Sequence, residues 1–413
     1  MKDTSSATLP ILRIGVFFDG TGNNRHNSAH AGPSASGSYA NAPSNIALLH
    51  DLYPQGPAEL PDGSARTFIK LYVAGIGTAE GESDATYEQM TGRGATGVAA
   101  RAAQAQQAIA EHLHSWREVN PEASMLTLEF DLFGFSRGAA AARHLANALC
   151  SEGQGRLNFI GLFDTVAAIV APLEGNFSPA NARYSGLKLA LASNMAAQVV
   201  QLVAGDERRH NFPLVRTDQD IVLPGAHSDI GGGYPPRVQE KVMLCKPRSS
   251  REPQGRALEQ SAAYKALSAQ PDNNSAQVIT WEAPLIGTGA KPAEREKRVF
   301  AAWYREREVL GDLSRIYLSI MRELAVRGGV PFAPVDLRSL PQELDDISRK
   351  LHDFATGRNA ALGLTEAEQA LLQSRYVHAS AHWNPAGGLR SSELDVLFIN
   401  RPGQAGRVLH GNC

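Results

Sequence analysis

The sequence of 413 residues lacks a strong net charge, a rich supply of cysteine and a long apolar run. Its formal net charge is -2, from 40 basic and 42 acidic residues, so the strongly basic surface that follows a phosphate backbone is absent. The composition therefore argues against nucleic acid as the main partner. With 43% hydrophobic residues it is the composition of an ordinary globular protein.

The three cysteines, Cys150, Cys245 and Cys413, contain no Cys-x-x-Cys pair, so the sequence predicts neither a disulfide framework nor a cysteine-based zinc site. The first residues lack the charged and apolar regions of a secretory signal. The most apolar-leaning stretch, 187–203, is interrupted by polar residues and is too short to span a bilayer. We therefore expect a chain that folds in a reducing compartment, without Sec-type export and without a membrane anchor.

Predicted strands and helices alternate through the first half of the chain. Short β-rich runs alternate with stretches of strong helix formers, and a helix is expected from about 184 to 203. The predicted strands are Leu12–Phe18, Phe68–Val73, Leu126–Phe133, Leu157–Phe163 and Ile221–Leu223. This order predicts an α/β fold in which helices cover both faces of a mostly parallel sheet.

Three segments follow from changes in composition. Residues 1–235 are expected to form the α/β core, and 236–375 a charged insertion followed by helices that cap the site or flank the sheet. Residues 297–327 have a helical spacing of apolar side chains, and residues 376–413 are expected to return to the core. The helices between 297 and 354 are the best candidates for a lid.

The pattern Gly134-Phe135-Ser136-Arg137-Gly138 lies between a predicted strand and an Ala-rich helix. This is the context of a nucleophile elbow, in which a strained turn lifts a serine hydroxyl clear of the sheet and glycines permit close packing. The five-residue pattern alone is common, but this context favours Ser136 as a catalytic nucleophile.

A serine nucleophile needs a base and an acid, which in such folds follow at the ends of later strands. Asp164 follows the strand Leu157–Phe163, and His227 lies in a glycine-rich loop after Ile221–Leu223. We predict Ser136, His227 and Asp164 as a catalytic triad. Asp229 remains an alternative acid and His378 an alternative base.

An oxyanion hole requires two converging N–H donors. The backbone of Arg137, directly after the nucleophile, is expected to supply one, and Gly20 or Thr21 in the loop after the first strand the other. The same loop is rich in oxygen ligands, Asp19 and Asn23 among them, so a Ca²⁺ site is an alternative, although its spacing does not match an EF-hand. No other cofactor or metal is predicted.

The ordered motifs resemble those of the lipase effectors of the type VI secretion system. They are the Asp-Gly-Thr-Gly-Asn-Asn loop at 19–24, the Gly-Phe-Ser-Arg-Gly elbow, Phe-Asp-Thr-Val at 163–166, Asp-Glu-Arg-Arg at 206–209 and His-Ser-Asp-Ile-Gly-Gly-Gly-Tyr at 227–234. The resemblance implies an α/β-hydrolase domain and a phospholipase of A1 or A2 type that acts as an antibacterial toxin.

The same resemblance implies partners and a destination. The chain would be made in the bacterial cytoplasm, carried by components of the secretion spike into the periplasm of a target cell, and directed there at phospholipid membranes. An immunity protein would neutralise it in the producing cell. Two other hypotheses remain open, a general cytosolic esterase of the same fold and a non-catalytic member that binds a partner or holds a metal through Asp19, His227 and Asp229.

Overall fold

A computed structural model of the chain describes residues 10–30, 32, 35–59, 65–121, 126–170, 176, 178–270, 276–284, 296–385 and 398–412. Its strands are β1 (Ile11–Phe18), β2 (Gly56–Glu59), β3 (Ala65–Val73), β4 (Thr127–Phe135), β5 (Arg156–Phe163), β6 (Ala196–Ala204), β7 (Leu214–Val215), β8 (Asp220–Leu223), β9 (Arg237–Met243), β10 (Arg248–Pro253), β11 (Gln277–Pro284), β12 (Glu296–Leu310) and β13 (Leu409–His410). Its helices are α1 (Arg25–Ala29), α2 (Asn45–Leu52), α3 (Thr86–Thr91), α4 (Val98–Val119), α5 (Arg137–Ser151), α6 (His227–Gly231), α7 (Ala262–Ser268), α8 (Leu313–Arg327), α9 (Asp345–Ala355) and α10 (Glu366–Arg375).

The main sheet has the strand order β2-β3-β1-β4-β5-β6-β8. All neighbours pair in parallel except β2 and β3, which are antiparallel at one edge. The carboxyl ends of β4, β5, β6 and β8 therefore lie along one edge of the sheet. The prediction of a mixed α/β fold with a mostly parallel sheet is confirmed.

Both faces of this sheet are buried because successive side chains of a strand point to opposite sides. In β1, Ile14 and Val16 pack on the face covered by α4 and α5, whereas Phe17 packs on the face covered by α2, α8 and α9. The two apolar clusters hold the sheet rigidly between helices, so its carboxyl edge is a firm support for a site.

Two helix predictions are wrong in part. The stretch expected as a helix from about 184 to 203 contains β6, which pairs with β5, and the stretch 297–327 divides into β12 and α8 at Gly311. A buried parallel strand is a continuous apolar run, which periodicity cannot distinguish from a buried helix. The β-branched residues Val199, Val200 and Val203 favour the strand that is observed.

The segment 236–375 is accordingly not a purely helical addition. The strands β9, β10, β11 and β12 form an antiparallel sheet, against which α7 packs. The helices α8 and α9 belong to the apolar cluster on one face of the main sheet, so they flank the sheet. No helix within the described ranges is long and apolar enough to cross a bilayer.

A buried ion pair lies in the middle of the main sheet. Arg13 of β1 donates from Nε and Nη2 to the carboxylate of Asp131 in β4, at 2.7 and 2.9 Å, and Tyr53 and Asn158 donate to the same carboxylate. Both charged side chains are almost completely buried. The pair is therefore satisfied only while all of these groups are in place.

We predict that Arg13→Met lowers the free energy of unfolding by about 3–5 kcal/mol, because it leaves the Asp131 carboxylate buried without its cation. Urea denaturation followed by circular dichroism measures the change. Arg338→Met is the control, since Arg338 forms an exposed ion pair with Asp336 and its removal should have little measurable effect. Equal effects of the two substitutions would contradict the prediction.

Candidate active site

Ser136 occupies the turn between β4 and α5. Its backbone angles are φ 57° and ψ -126°, a conformation that is strained for a residue with a side chain. The Ser136 N–H donates to the carbonyl of Phe163, and its carbonyl accepts from Ala139 at the start of the helix. The turn is thus fixed from both sides, as expected of a nucleophile elbow.

Glycines make this turn possible. A Cβ atom at Gly134 would collide with the backbone of Ala139, and one at Gly138 would collide with the carbonyl oxygens of Phe18 and Asp19. The helix α5 therefore approaches β1 and β4 more closely than any residue with a side chain permits. This close approach explains the two glycines of the pattern in physical terms.

Asp164 follows β5 directly and lies completely buried beneath the same edge of the sheet. Its Oδ2 accepts from His227 Nδ1 at 2.5 Å and from Arg407 Nη2 at 2.7 Å. Its Oδ1 accepts from Arg407 Nη1 at 2.7 Å and from the N–H of Ala204 at 3.0 Å. Both oxygens of the carboxylate are satisfied.

The electrostatics of this cluster fix the state of the histidine. Burial alone would raise the pKa of Asp164, but the charge of Arg407 and the hydrogen bond from His227 hold it well below its usual range. Burial lowers the pKa of His227, and Asp164 opposes that shift only in part. An ionised Asp164 must accept the proton on Nδ1, so the neutral imidazole presents Nε2 as a base.

Ser136 and His227 line one cleft of ≈ 740 Å³ at the carboxyl edge of the sheet. The His227 ring packs between Phe135 and Phe212, with ring centroids 4.7 and 5.0 Å away. The cleft also contains apolar side chains, of which Met90 and Ile399 are 63% and 44% exposed. The predicted nucleophile and base therefore line the same cleft, and exposed apolar side chains form part of its wall.

The predicted oxyanion donors differ in whether their N–H group already has a hydrogen-bond acceptor. Arg137 is the first residue of α5, so its N–H has no acceptor within the helix. The N–H of Gly20 already donates to Asp19 Oδ1 at 2.7 Å, whereas Thr21 lines the cleft. Of the two residues predicted in this loop, Thr21 is the better placed donor.

The alternative acid and base form a pair of their own. His378 Nδ1 lies 2.6 Å from Asp229 Oδ1, and the His378 ring stacks on Tyr234 with centroids 3.7 Å apart. Asp229 Oδ2 also accepts from the N–H of Ala226, directly before His227. Neither Asp229 nor His378 is among the described residues that line the cleft.

The loop after β1, which the sequence offers as an alternative calcium site, is held together by hydrogen bonds to Asp19. The carboxylate of Asp19 accepts hydrogen bonds from Ser44, Tyr72 and Gly20, and burial raises its pKa to about 6. The Asp19 carboxylate therefore stabilises the loop by accepting hydrogen bonds from two hydroxyl groups and one backbone N–H. Within the described part of the chain, no group of three or more His, Cys, Asp or Glu side chains could hold a metal ion.

Sequence patterns did not identify Arg407. It follows Asp164 by 243 residues and reaches it because β13 pairs with β7 beside the site. No local motif marks this arginine, since its role depends on a contact between distant parts of the chain. The adjacent apolar residues Val408 and Leu409 are the most that the sequence offers.

The fold and the site define a mixed α/β protein with a mostly parallel sheet, in which a serine on a strained turn and a histidine hydrogen-bonded to a buried carboxylate line one cleft. A model of the family described as T6SS, Phospholipase effector Tle1-like, catalytic domain, matches residues 13–154 and 148–249. The chain belongs to this family. The predictions of a type VI secretion phospholipase effector and of its family are confirmed.

Solved structures extend the comparison. The structure of the Tle1 effector bound to the VgrG spike of the type VI secretion system is similar over 98% of this chain and 94% of that chain, with 27% identity and a TM-score of 0.73. The crystal structure of an uncharacterized protein from Pseudomonas aeruginosa matches with 21% identity and a TM-score of 0.42, over 96% of this chain and 56% of that one. No curated protein sequence matches the chain significantly.

We predict that Arg407→Gln lowers kcat and moves the acid limb of the pH–rate profile to higher pH. Without the guanidinium, the charge of Asp164 acts more strongly on His227 and raises the pKa of its imidazole. The profile of kcat/KM for a p-nitrophenyl ester measures the shift. A purely structural loss would lower the rate at every pH and leave the limb in place.

Proposed function

We propose that the chain is a serine-dependent carboxylic-ester hydrolase of the α/β-hydrolase type, with Ser136, His227 and Asp164 as its triad. The observation that carries this proposal is the 2.5 Å contact between His227 and Asp164 in the cleft that also contains Ser136 on its strained turn. The substrate is a glycerophospholipid, and the cleavage is of A1 or A2 type.

The first half of the reaction forms an acyl-enzyme. Ser136 Oγ attacks the ester carbonyl while His227 Nε2 takes its proton, and Asp164 stabilises the imidazolium. The negative charge that develops on the carbonyl oxygen is held by the N–H groups of Arg137 and Thr21. When the carbonyl bond to the glycerol oxygen breaks, His227 returns the proton to that oxygen and a lysophospholipid leaves.

The second half releases the fatty acid. A water molecule gives a proton to His227 Nε2 and attacks the acyl carbon, and the intermediate collapses with return of the proton to Ser136 Oγ. The cleft suits such a substrate because Met90, Val170 and Ile399 provide apolar surface for an acyl chain. The exposure of Met90 and Ile399 at the mouth agrees with a substrate that arrives from a lipid surface.

We extend the proposal to delivery and regulation. The similar effector was solved on a VgrG spike, which supports a spike protein as the carrier of this chain as well. The destination would be the periplasm of a rival cell, and a cognate immunity protein would protect the producer.

We predict that Ser136→Ala and His227→Gln each lower hydrolysis of a phospholipid and of a short p-nitrophenyl ester by at least about a thousandfold, since triad members act as a unit. Steady-state rates and labelling by a fluorophosphonate probe provide the measurement. His378→Gln is the matched control, because its amide can still donate to Asp229 and so keep the support of His227, and it should retain probe labelling at Ser136. Undiminished hydrolysis by Ser136→Ala would end the proposal, and loss of labelling in the control alone would make His378 the base.

The wild-type enzyme should remain active below pH 6.5. Because burial lowers the pKa of His227 beneath the ordinary 6.5, the imidazole stays neutral and able to accept a proton as the pH falls through that value. The acid limb of kcat/KM for a p-nitrophenyl ester should therefore have an apparent pKa below 6.5. A limb at pH 7 or above would be inconsistent with a buried His227 as the base.

A further inference from the structure

The charge of the cleft differs from that of the whole chain. Arg137, Arg209 and Arg401 line it together with His210 and His227, and none of the described residues that line it carries a carboxylate. The chain as a whole has slightly more acidic than basic residues. Because its lining is basic, the cleft attracts an anionic group as well as the apolar part of a ligand.

Arg209 is already neutralised. Its guanidinium donates to the carboxylate of Glu207 at 2.8 and 3.0 Å and lies over the ring of Phe212 at 3.2 Å. Burial opposes ionisation of Glu207, but the charge of Arg209 lowers the pKa of Glu207 to about 2, so the pair is fully ionised. Arg209 therefore contributes little unpaired charge to the cleft.

Arg137 is different. Its Nε donates to Thr21 Oγ1 at 2.8 Å, and no carboxylate among the described residues forms an ion pair with its guanidinium. Burial lowers its pKa to about 10, and no neighbouring charge counteracts that shift. The side chain also lies against Gly92 at the end of α3, so the guanidinium is held in place beside the nucleophile.

We propose that the Arg137 side chain binds the phosphate of the glycerophospholipid whose ester Ser136 attacks, and that it sets the preference for phospholipids over neutral glycerides. This inference rests on the proposed function. The Nε of Arg137 already donates to Thr21, so its two terminal nitrogens, Nη1 and Nη2, are the donors left for the phosphate. Two such donors can contact two phosphate oxygens at once, which is the bidentate geometry in which arginine binds phosphate. The backbone of Arg137 holds the oxyanion, and its side chain holds the headgroup.

The test compares two substrates that differ only in the phosphate. Dihexanoylphosphatidic acid and dihexanoylglycerol are used as monomers, below the concentration at which they aggregate, so binding to an interface plays no part. For Arg137→Gln we expect the ratio of kcat/KM on the phospholipid to kcat/KM on the glyceride to fall about ten- to a hundredfold, the range of one charged hydrogen-bonding contact. Any loss that the two substrates share reports the lost hydrogen bond to Thr21 and cancels in this ratio. Arg137→Lys should fall between Arg137→Gln and wild type on the phospholipid.

Arg349→Gln is the matched control for the loss of one positive charge. Arg349 lies on α9, is well exposed and pairs only with Asp346 among the ion pairs of the described residues. It should leave the ratio of the two kcat/KM values unchanged. An equal loss on both substrates in Arg137→Gln would assign Arg137 a structural role and overturn the inference.

A second measurement uses the wild-type protein and so does not depend on folding of a variant. Glycerol 3-phosphate should compete with p-nitrophenyl hexanoate, and glycerol should not. Absence of competition would overturn the inference even if every variant failed to fold. Failure of the proposed function has a different signature, because Ser136→Ala would then still hydrolyse both substrates.

Discussion

The structure of the site depends on the burial of the Asp164 carboxylate. A charge removed from water is stable only when it is paired and hydrogen-bonded, and Asp164 meets this requirement through His227, Arg407 and the N–H of Ala204. These partners come from the start of α6, the C-terminal segment and the end of β6. One buried carboxylate thus ties three distant parts of the chain to the edge of the sheet.

Asp164 is bound by both Arg407 and His227, and this has a consequence for the proposed catalysis. At rest, Arg407 balances the carboxylate, so the buried His227 remains neutral and able to act as a base. In the proposed mechanism His227 takes the serine proton, so a new positive charge appears beside a new oxyanion. Glu207 and Arg209 already balance each other nearby. Charge therefore develops in pairs in the cleft, which limits the cost of creating it away from water.

The triad candidates could be predicted from sequence because each follows a strand in a parallel sheet, and parallel strands end at one edge. That rule predicts Ser136, Asp164 and His227 as candidates, and the structure places His227 against Asp164 and in the cleft that Ser136 lines. It could not identify Arg407, whose contact depends on the pairing of β13 with β7, nor could periodicity distinguish β6 from a helix. Local sequence patterns predict where strands end, but they do not predict which distant strands pair with each other.

The sequence offered two histidines and two aspartates, and the structure gives both pairs a position. Asp229 accepts from the N–H of Ala226 and from His378, and it thereby fixes the first turn of the helix that begins at His227. The ring of His378 is in turn stacked on Tyr234. A base that must present one ring nitrogen to a serine needs a rigid support. In the proposed mechanism the pair of Asp229 and His378 supplies that support, which explains why both residues lie near His227 without lining the cleft.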